Sequence, residues 1–373
     1  MKAAFVYSDE FIKYYFGPSH PLNPIRLKMT KELLESYNLF DKGFLSLVHP
    51  KPAEEESVSA IHSKEYMEVV KALSSGEKPS EYIRFGFASA DNPPFRGMYD
   101  ASILYTGASL TAADLVQSGE FEIAFNMSGG LHHAMRSKAS GFCIFNDPAI
   151  AIARLLRDND RILYLDLDAH HGDGVQTAFY RTNKVLTISL HESGTYLFPG
   201  TGEPHEVGEG DGKGYSVNVP LAPQTDDEVY IWAFEEIVPP LVESFDPEFC
   251  VVQFGVDTHL LDPLAHLALT TRGYRRIARR LLELISGRKW ILLGGGGYNP
   301  KVVCRAWTII LGTILGTELA DDVPEPFRSR YGVFVLEDPP EVRQPSGRWA
   351  RDFAERSVES VKKLVFPIHG ITL

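Results

Sequence analysis

Residues Arg161 to Gln176 read RILYLDLDAHHGDGVQ. The near-continuous apolar run of Ile162, Leu163, Tyr164, Leu165 and Leu167 is that of a strand buried on both faces, as in a parallel sheet covered by helices. Into this run are set Asp166, Asp168 and His170, two residues apart, so a strand persisting that far would project all three from one face. A buried carboxylate must be protonated, hydrogen-bonded or bound to a cation, because the desolvated charge is otherwise too costly. A turn built on Gly172 and Gly174 accounts for one aspartate but not for D-x-D-x-H-H-x-D. A metal site accounts for the pattern.

The rest of the chain alternates strand and helix patterns around this stretch. AAFVY (residues 3–7) predicts a first strand, and Pro24 starts a helix from Ile25. Ser57 to Val70 has helical spacing, with His62 and Tyr66 read as packing on one face. A polar loop from Ser74 to Pro94 carries Asp91 and Asn92, and loops of that length in a compact domain are often functional. Tyr99 to Val116 predicts a helix, Glu122 to Phe125 a strand, and a helix begins near Pro148. After the central strand come KVLTISLH, a helix from Asp227 to Val242, FCVVQFGVD, a helix from Arg272 to Ile285, and KWILLGGGGY. That order predicts an α/β fold with a parallel sheet and helices on both faces, because parallel strands need crossover connections. The chain is expected to form one domain over residues 1–373, with a core to about 317. Residues 318–373 then make a peripheral arm ending in an amphipathic helix, Arg348 to Leu364.

The 37 basic and 49 acidic residues leave a net charge of −12, which disfavours a nucleic-acid partner. No window approaches the ~18 apolar residues of a membrane span, and the N-terminal MKAAFVYSDEF lacks a signal-peptide core. A cytoplasmic protein is therefore expected. Cys143, Cys250 and Cys304 are widely separated, which argues against a disulfide framework and a cysteine zinc site.

Each chemically able side chain comes just after a predicted strand: His132 and His133, then Asp168 and His170, then His191, Asp257 and Tyr298. Loops at the carboxyl ends of parallel strands meet along one sheet edge, so one pocket can hold them all. Asp168, His170 and Asp257 make a set of two carboxylates and one imidazole that leaves a coordination position open, as a catalytic zinc requires; iron, manganese or cobalt would also suit it. Asp166 and Asp173 are then left to orient His132 and His133 for proton transfer, which implies hydrolytic chemistry. The glycines of LLGGGGYNP lack the partners of a phosphate-binding loop and instead permit close backbone approach beside Tyr298.

Taken together, GGLHHAMRSKASGFCIFND, YLDLDAHHGDGVQ, HESGTYLFPGTG, QFGVDTHLLDPLAHL and GGGGYNP resemble the zinc-dependent histone deacetylase family, and within it the bacterial and archaeal acetoin-utilization branch. The likeness runs from about Tyr7 to about Leu315. It implies the arginase-deacetylase fold, a three-layer sandwich around an eight-stranded parallel sheet. It also implies zinc on Asp168, His170 and Asp257, with two His–Asp pairs, His132 with Asp166 and His133 with Asp173. Tyr298 becomes the catalytic tyrosine, Gly141, Phe142 and Phe198 a tunnel for an acyl-lysine stem, and Asp91 a rim residue binding substrate amides. Arg26, an exposed residue by local pattern, becomes an arginine lining an internal channel below the site. Structural potassium is implied at Asp166, Asp168, His170, Ser189 and Leu190, and at a second site of Phe179, Thr182, Val185 and Tyr215.

The activity so implied is removal of acetyl groups from lysine ε-amines in proteins, the substrate being a metabolic enzyme such as an acyl-CoA synthetase or a chromatin-like protein. Two other readings share these residues: hydrolysis of acetylpolyamines, and an acyl-lysine binding module without turnover. A binuclear manganese site of the arginase type would need a carboxylate at position 172, where the chain has Gly172.

Overall fold

The computed structural model describes residues 2–372 apart from 42, 44, 343 and 346. In chain order the strands are β1 (Ala3–Val6), β2 (Leu45–Val48), β3 (Ile123–Asn126), β4 (Ile162–Asp166), β5 (Val185–Glu192), β6 (Ser216–Leu221), β7 (Phe249–Gln253) and β8 (Lys289–Leu293). The helices are α1 (Ile25–Ser36), α2 (Glu55–Ser59), α3 (Lys64–Ser75), α4 (Met98–Gln117), α5 (Asp147–Leu155), α6 (Asp173–Phe179), α7 (Asp227–Phe245), α8 (Thr271–Ile285), α9 (Pro300–Ile314), α10 (Phe327–Tyr331) and α11 (Arg348–Val365).

All eight strands join one parallel sheet in the order β2-β1-β3-β8-β7-β4-β5-β6. This is the architecture that the motifs implied. Every residue of β3, β4, β5 and β7 is buried, as strands covered on both faces require. The edge strands β2 and β6 escape a reading by apolar runs for physical reasons. Leu45–Val48 is only four residues long with Leu45 alone fully buried, and β6 carries Pro220, which an edge strand tolerates because its outer side needs no donor.

The register explains where chemistry can gather. Asn126 of β3 pairs with Leu293 of β8, Leu293 with Gln253 of β7, Gln253 with Asp166 of β4, and Asp166 with Ser189 of β5. The central strands therefore end in one row, and the loops leaving it share a single edge. β3 and β4 follow one another in the chain but have β8 and β7 between them in the sheet, and ligands of such sheets bind where the strand order switches.

Two local expectations are corrected. The segment from Ser57 to Val70 is not one helix: α2 ends at Ser59, and Ser63 starts α3 by accepting the Tyr66 N–H on its hydroxyl. A side chain that satisfies a free helix-start amide favours a new helix there over continuation of the old one. His62 and Tyr66 still pack, with ring centroids 5.5 Å apart. Strand β4 stops at Asp166, so Asp168 and His170 stand in the loop beyond it rather than on a continued strand face. The arm from 318 packs against the sheet layer: α11 buries Ala350, Ala354, Val358, Val361 and Val365 against α7 and β6. No helix among the described residues is long and apolar enough to cross a membrane.

Candidate active site

The loop after β3 is held by the start of α5. Asp147 accepts the N–H groups of Gly130 (3.1 Å) and Leu131 (2.8 Å), while the Asn146 amide donates to the carbonyls of His132 (3.1 Å) and Ala134 (3.0 Å). His132 and His133 are thereby fixed side by side in the interior, ring centroids 4.1 Å apart. Each Nδ1 meets a carboxylate at 2.7 Å, His132 with Asp166 and His133 with Asp173. That leaves both Nε2 atoms free of those carboxylates, the arrangement needed to exchange a proton elsewhere.

The two imidazoles differ electrically. Burial pushes His133 down to about 4, helped by the neighbouring charge of His132. Burial also opposes charge on His132, but Asp166, Asp168 and Asp173 outweigh it and raise that ring to about 9. The two rings are thus driven in opposite directions, His132 toward the charged form and His133 away from it.

Asp168, His170 and Asp257 converge beyond the ends of β4 and β7, and their ligand atoms all lie within 4.8 Å of one another. His170 Nδ1 lies 2.8 Å from Asp257 Oδ2 and 3.3 Å from Asp168 Oδ1. Backbone amides orient the carboxylates: Gly296 N–H donates to Asp168 Oδ2 (2.5 Å) and Ala169 N–H to Asp257 Oδ1 (2.9 Å). Burial and the nearby Asp168 charge push Asp257 up to about 7. His170, despite burial, is raised to about 10 by these two carboxylates. The cluster thus draws positive charge to itself. Two oxygen donors, one nitrogen donor and a surplus of buried negative charge fit a divalent cation.

It is the one such group of three among the described residues. Position 172 has no room for a further ligand, because a Cβ on Gly172 would collide with Asp166 Oδ2.

The residues between this cluster and solvent are aromatic. Ser140 and Cys143 exchange backbone hydrogen bonds (3.1 and 2.8 Å) around a two-residue turn in which Gly141 and Phe142 have φ of +50° and +68°. Such a turn demands left-handed backbone at both central positions. Tyr14 holds the strained Phe142 by donating to its carbonyl at 2.8 Å. The Phe142 ring packs edge-on against Tyr298 (5.6 Å), and the 43% exposed Phe198 packs edge-on against His133 (5.0 Å). A Cβ on Gly141 would strike both His133 and Phe198, so only glycine fits between them.

Tyr298 lies 6.3 Å from His170 between ring centroids, and its phenol is held well above the usual range by burial and then by Asp257 and Asp168. It is a neutral donor at pH 7.

Other expected residues fall in differing places. Arg26 is buried, donates to the Gly297 carbonyl at 2.9 Å and lies 5.2 Å over the Trp307 ring, so the local surface reading is replaced. Asp91 is exposed, its carbonyl 3.1 Å from His20 Nε2, and His20 packs on Phe142 at 4.6 Å. His191 is not at the site: it lies inside β5, bonded to Ser189 Oγ (2.8 Å) and the Gly202 carbonyl (3.0 Å). Ser189 and Leu190 sit beside Asp166, whereas Phe179, Thr182, Val185 and Tyr215 gather near the amino ends of β5 and β6, the edge opposite the site.

Three residues of the surroundings lie within the motifs above, yet no role at the site is assigned to them from sequence. Tyr164 donates to Asp166 (2.7 Å), and the Gln253 amide lies 2.9 Å from Tyr164 Oη and 2.8 Å from His132 Nδ1. A polar residue closing the apolar strand FCVVQ is the one cue that sequence offers for Gln253. Asp262 accepts the Tyr298 N–H at 2.8 Å.

The model of the histone deacetylase domain matches residues 20–314. The chain belongs to the histone deacetylase family. Within the family it is similar to the acetoin utilization protein AcuC of Bacillus subtilis (strain 168), 39% identical with 99% of this chain and 98% of that protein aligned. AcuC of Staphylococcus aureus (strain MRSA252) is 41% identical over 84% of this chain and 82% of its own length. Among solved structures, an HDAC homolog complexed with SAHA superposes with a TM-score of 0.88 at 32% identity, covering 97% of this chain and all of that one. An HDAC homolog from Aquifex aeolicus gives 0.86 at 31% identity over 96% of this chain. The family model stops at the arm, yet the Bacillus alignment covers 99% of the chain, so the likeness reaches beyond Leu315 into the terminal segment.

Proposed function

We infer that this deacetylase-family hydrolase is a zinc-dependent lysine deacetylase, which cleaves the acetyl group from the ε-amine of lysine in proteins and releases acetate. The observation that carries this reading is the placing of two His–Asp pairs and a neutral tyrosine around the buried Asp168–His170–Asp257 group, with the Phe142 ring packed against that tyrosine. When bound there, zinc supplies Lewis-acid polarisation of the acetyl carbonyl and acidifies water.

The side chains do the rest. His133, neutral at pH 7, takes the proton of the attacking water on Nε2 while Asp173 fixes Nδ1; a ring of so low a pKa readily passes that proton to the leaving amine. His132 stays charged and steadies the negative charge that develops. Tyr298 donates to the former carbonyl oxygen. Phe142 and Phe198 hold the four-carbon lysine stem, and Asp91 at the rim accepts backbone amides of the substrate. Cys143, Cys250 and Cys304 are buried free thiols, in keeping with a reducing compartment such as the cytoplasm. Potassium at Asp166, Asp168, His170, Ser189 and Leu190 would brace the ends of β4 and β5, and a second potassium near Phe179, Thr182, Val185 and Tyr215 would brace their amino side.

The test is a peptide carrying acetyl-lysine, incubated with zinc-loaded protein. Acetate and free ε-amine are expected in equal amounts. Preferential turnover of free acetylpolyamines in direct competition would move the substrate class from protein to small molecule.

A further inference from the structure

Tyr298 follows a stretch of backbone that has no side chains of its own to pack. The run Gly294–Gly297 has no side chains, and Gly295 and Gly297 adopt φ of +96° and +131°. Its peptide groups are fastened from outside instead. Gly294 N–H donates to the Asn126 carbonyl (3.1 Å), Gly295 N–H to the Gly129 carbonyl (2.9 Å) and Gly296 N–H to Asp168 (2.5 Å), while the Gly297 carbonyl accepts from Arg26 (2.9 Å). At Tyr298 the tie is a side chain. Asp262 Oδ2 accepts the Tyr298 N–H at 2.8 Å, and Oδ1 of the same carboxylate accepts the N–H groups of Leu264 (2.9 Å) and Ala265 (3.3 Å).

The loop that bears Asp262 is firm enough to serve as an anchor. Leu260 N–H donates to the Leu269 carbonyl and Leu269 N–H to the Thr258 carbonyl, both at 3.0 Å, closing its base. Farther along, buried Glu192 accepts the His266 N–H at 2.7 Å, and Asp338 from the terminal arm lies 2.9 Å from His259 Nε2.

We propose that Asp262 is a positioning residue for Tyr298. One oxygen shapes its own turn, and the other fixes the tyrosine backbone at the end of the glycine run, so that the phenol is presented to the Asp168–His170–Asp257 group. The assignment rests on the reading of Tyr298 as the donor to the acetyl oxygen. Asp262 touches no reacting atom.

Asp262→Asn separates the two oxygens. Two N–H groups face Oδ1 and one faces Oδ2, so the amide turns its single oxygen toward Leu264 and Ala265 and its NH2 toward the Tyr298 N–H, where two donors oppose each other. The turn survives and the pin is lost. The zinc-loaded variant is expected to keep the parent's melting temperature, metal content and KM for an acetyl-lysine peptide, with kcat lowered about 10- to 10²-fold by misplacement. In a Tyr298→Phe background the same substitution should lower kcat by less than about twofold, because the group it positions is already gone.

Parent-like kcat in Asp262→Asn overturns the proposal, as does a loss that multiplies in full with that of Tyr298→Phe. Parent-like turnover in Tyr298→Phe alone overturns the donor assignment, and the positioning role with it.

Discussion

Phe142 and Phe198 stand on separate loops, one ring packed against Tyr298 and the other against His133. Phe142 sits in a left-handed position at a turn tip, a conformation that costs a non-glycine residue about 1–3 kcal/mol, and the Tyr14 bond to its carbonyl helps to offset that cost. Truncating either ring to alanine removes apolar surface worth ~1–2 kcal/mol from the hold on a lysine stem, so KM for an acetyl-lysine peptide should rise about 5- to 30-fold with kcat less affected. Steady-state kinetics of both variants check this; unchanged KM in both would place the passage elsewhere. The motif residues were legible at this scale because metal and proton chemistry use few residue types at short spacing. The roles of Gln253, Tyr164 and Asp262 were not, since a lone glutamine, tyrosine or aspartate has many ordinary uses, and the contacts Gln253–His132 and Asp262–Tyr298 join distant parts of the chain.

At the scale of elements, the buried strands announced themselves through apolar runs, and the loops after them carried the chemistry. Edge strands did not: Leu45–Val48 is short and half exposed, and Ser216–Leu221 contains a proline. The break between α2 and α3 was hidden because the apolar spacing continues across a cap that only the Ser63 hydroxyl marks.

The arm is joined to the site's framework by Asp338. Its carboxylate meets His259 Nε2 (2.9 Å), Arg305 (2.7 Å) and the Thr271 N–H (2.8 Å), all buried. Although burial opposes its charge, His259, Thr271 and Arg305 hold its pKa well below the usual carboxylate range. A group depressed in the folded state contributes stability that is present above the unfolded carboxylate pKa of ~3.9 and is lost as pH falls toward the folded value. Asp338→Asn leaves Arg305 without its charge partner and should cost about 3–5 kcal/mol at pH 7. Urea unfolding of parent and variant should show that gap narrowing as pH drops below about 4. A gap independent of pH would mean that the charge of Asp338 does not join arm to core.

For the whole molecule, one parallel sheet whose central strands end in a single row brings His132, His133, Asp168, His170, Asp257 and Tyr298 together from widely separated parts of the chain. The alternation of strand and helix made this edge legible, but the row itself depends on register, which apolar pattern does not specify when both faces are buried. One cation is expected to serve those side chains, in a core too large to depend on it for folding. The direct measurement is a zinc titration of metal-stripped protein, followed by acetate release from an acetyl-lysine peptide with circular dichroism recorded alongside. Release should be absent in the stripped protein, rise linearly with zinc and level off at about one ion per chain, as a mononuclear site requires, while the folded signal stays constant. Full acetate release by the stripped protein, or a plateau reached only at two ions per chain, would contradict it.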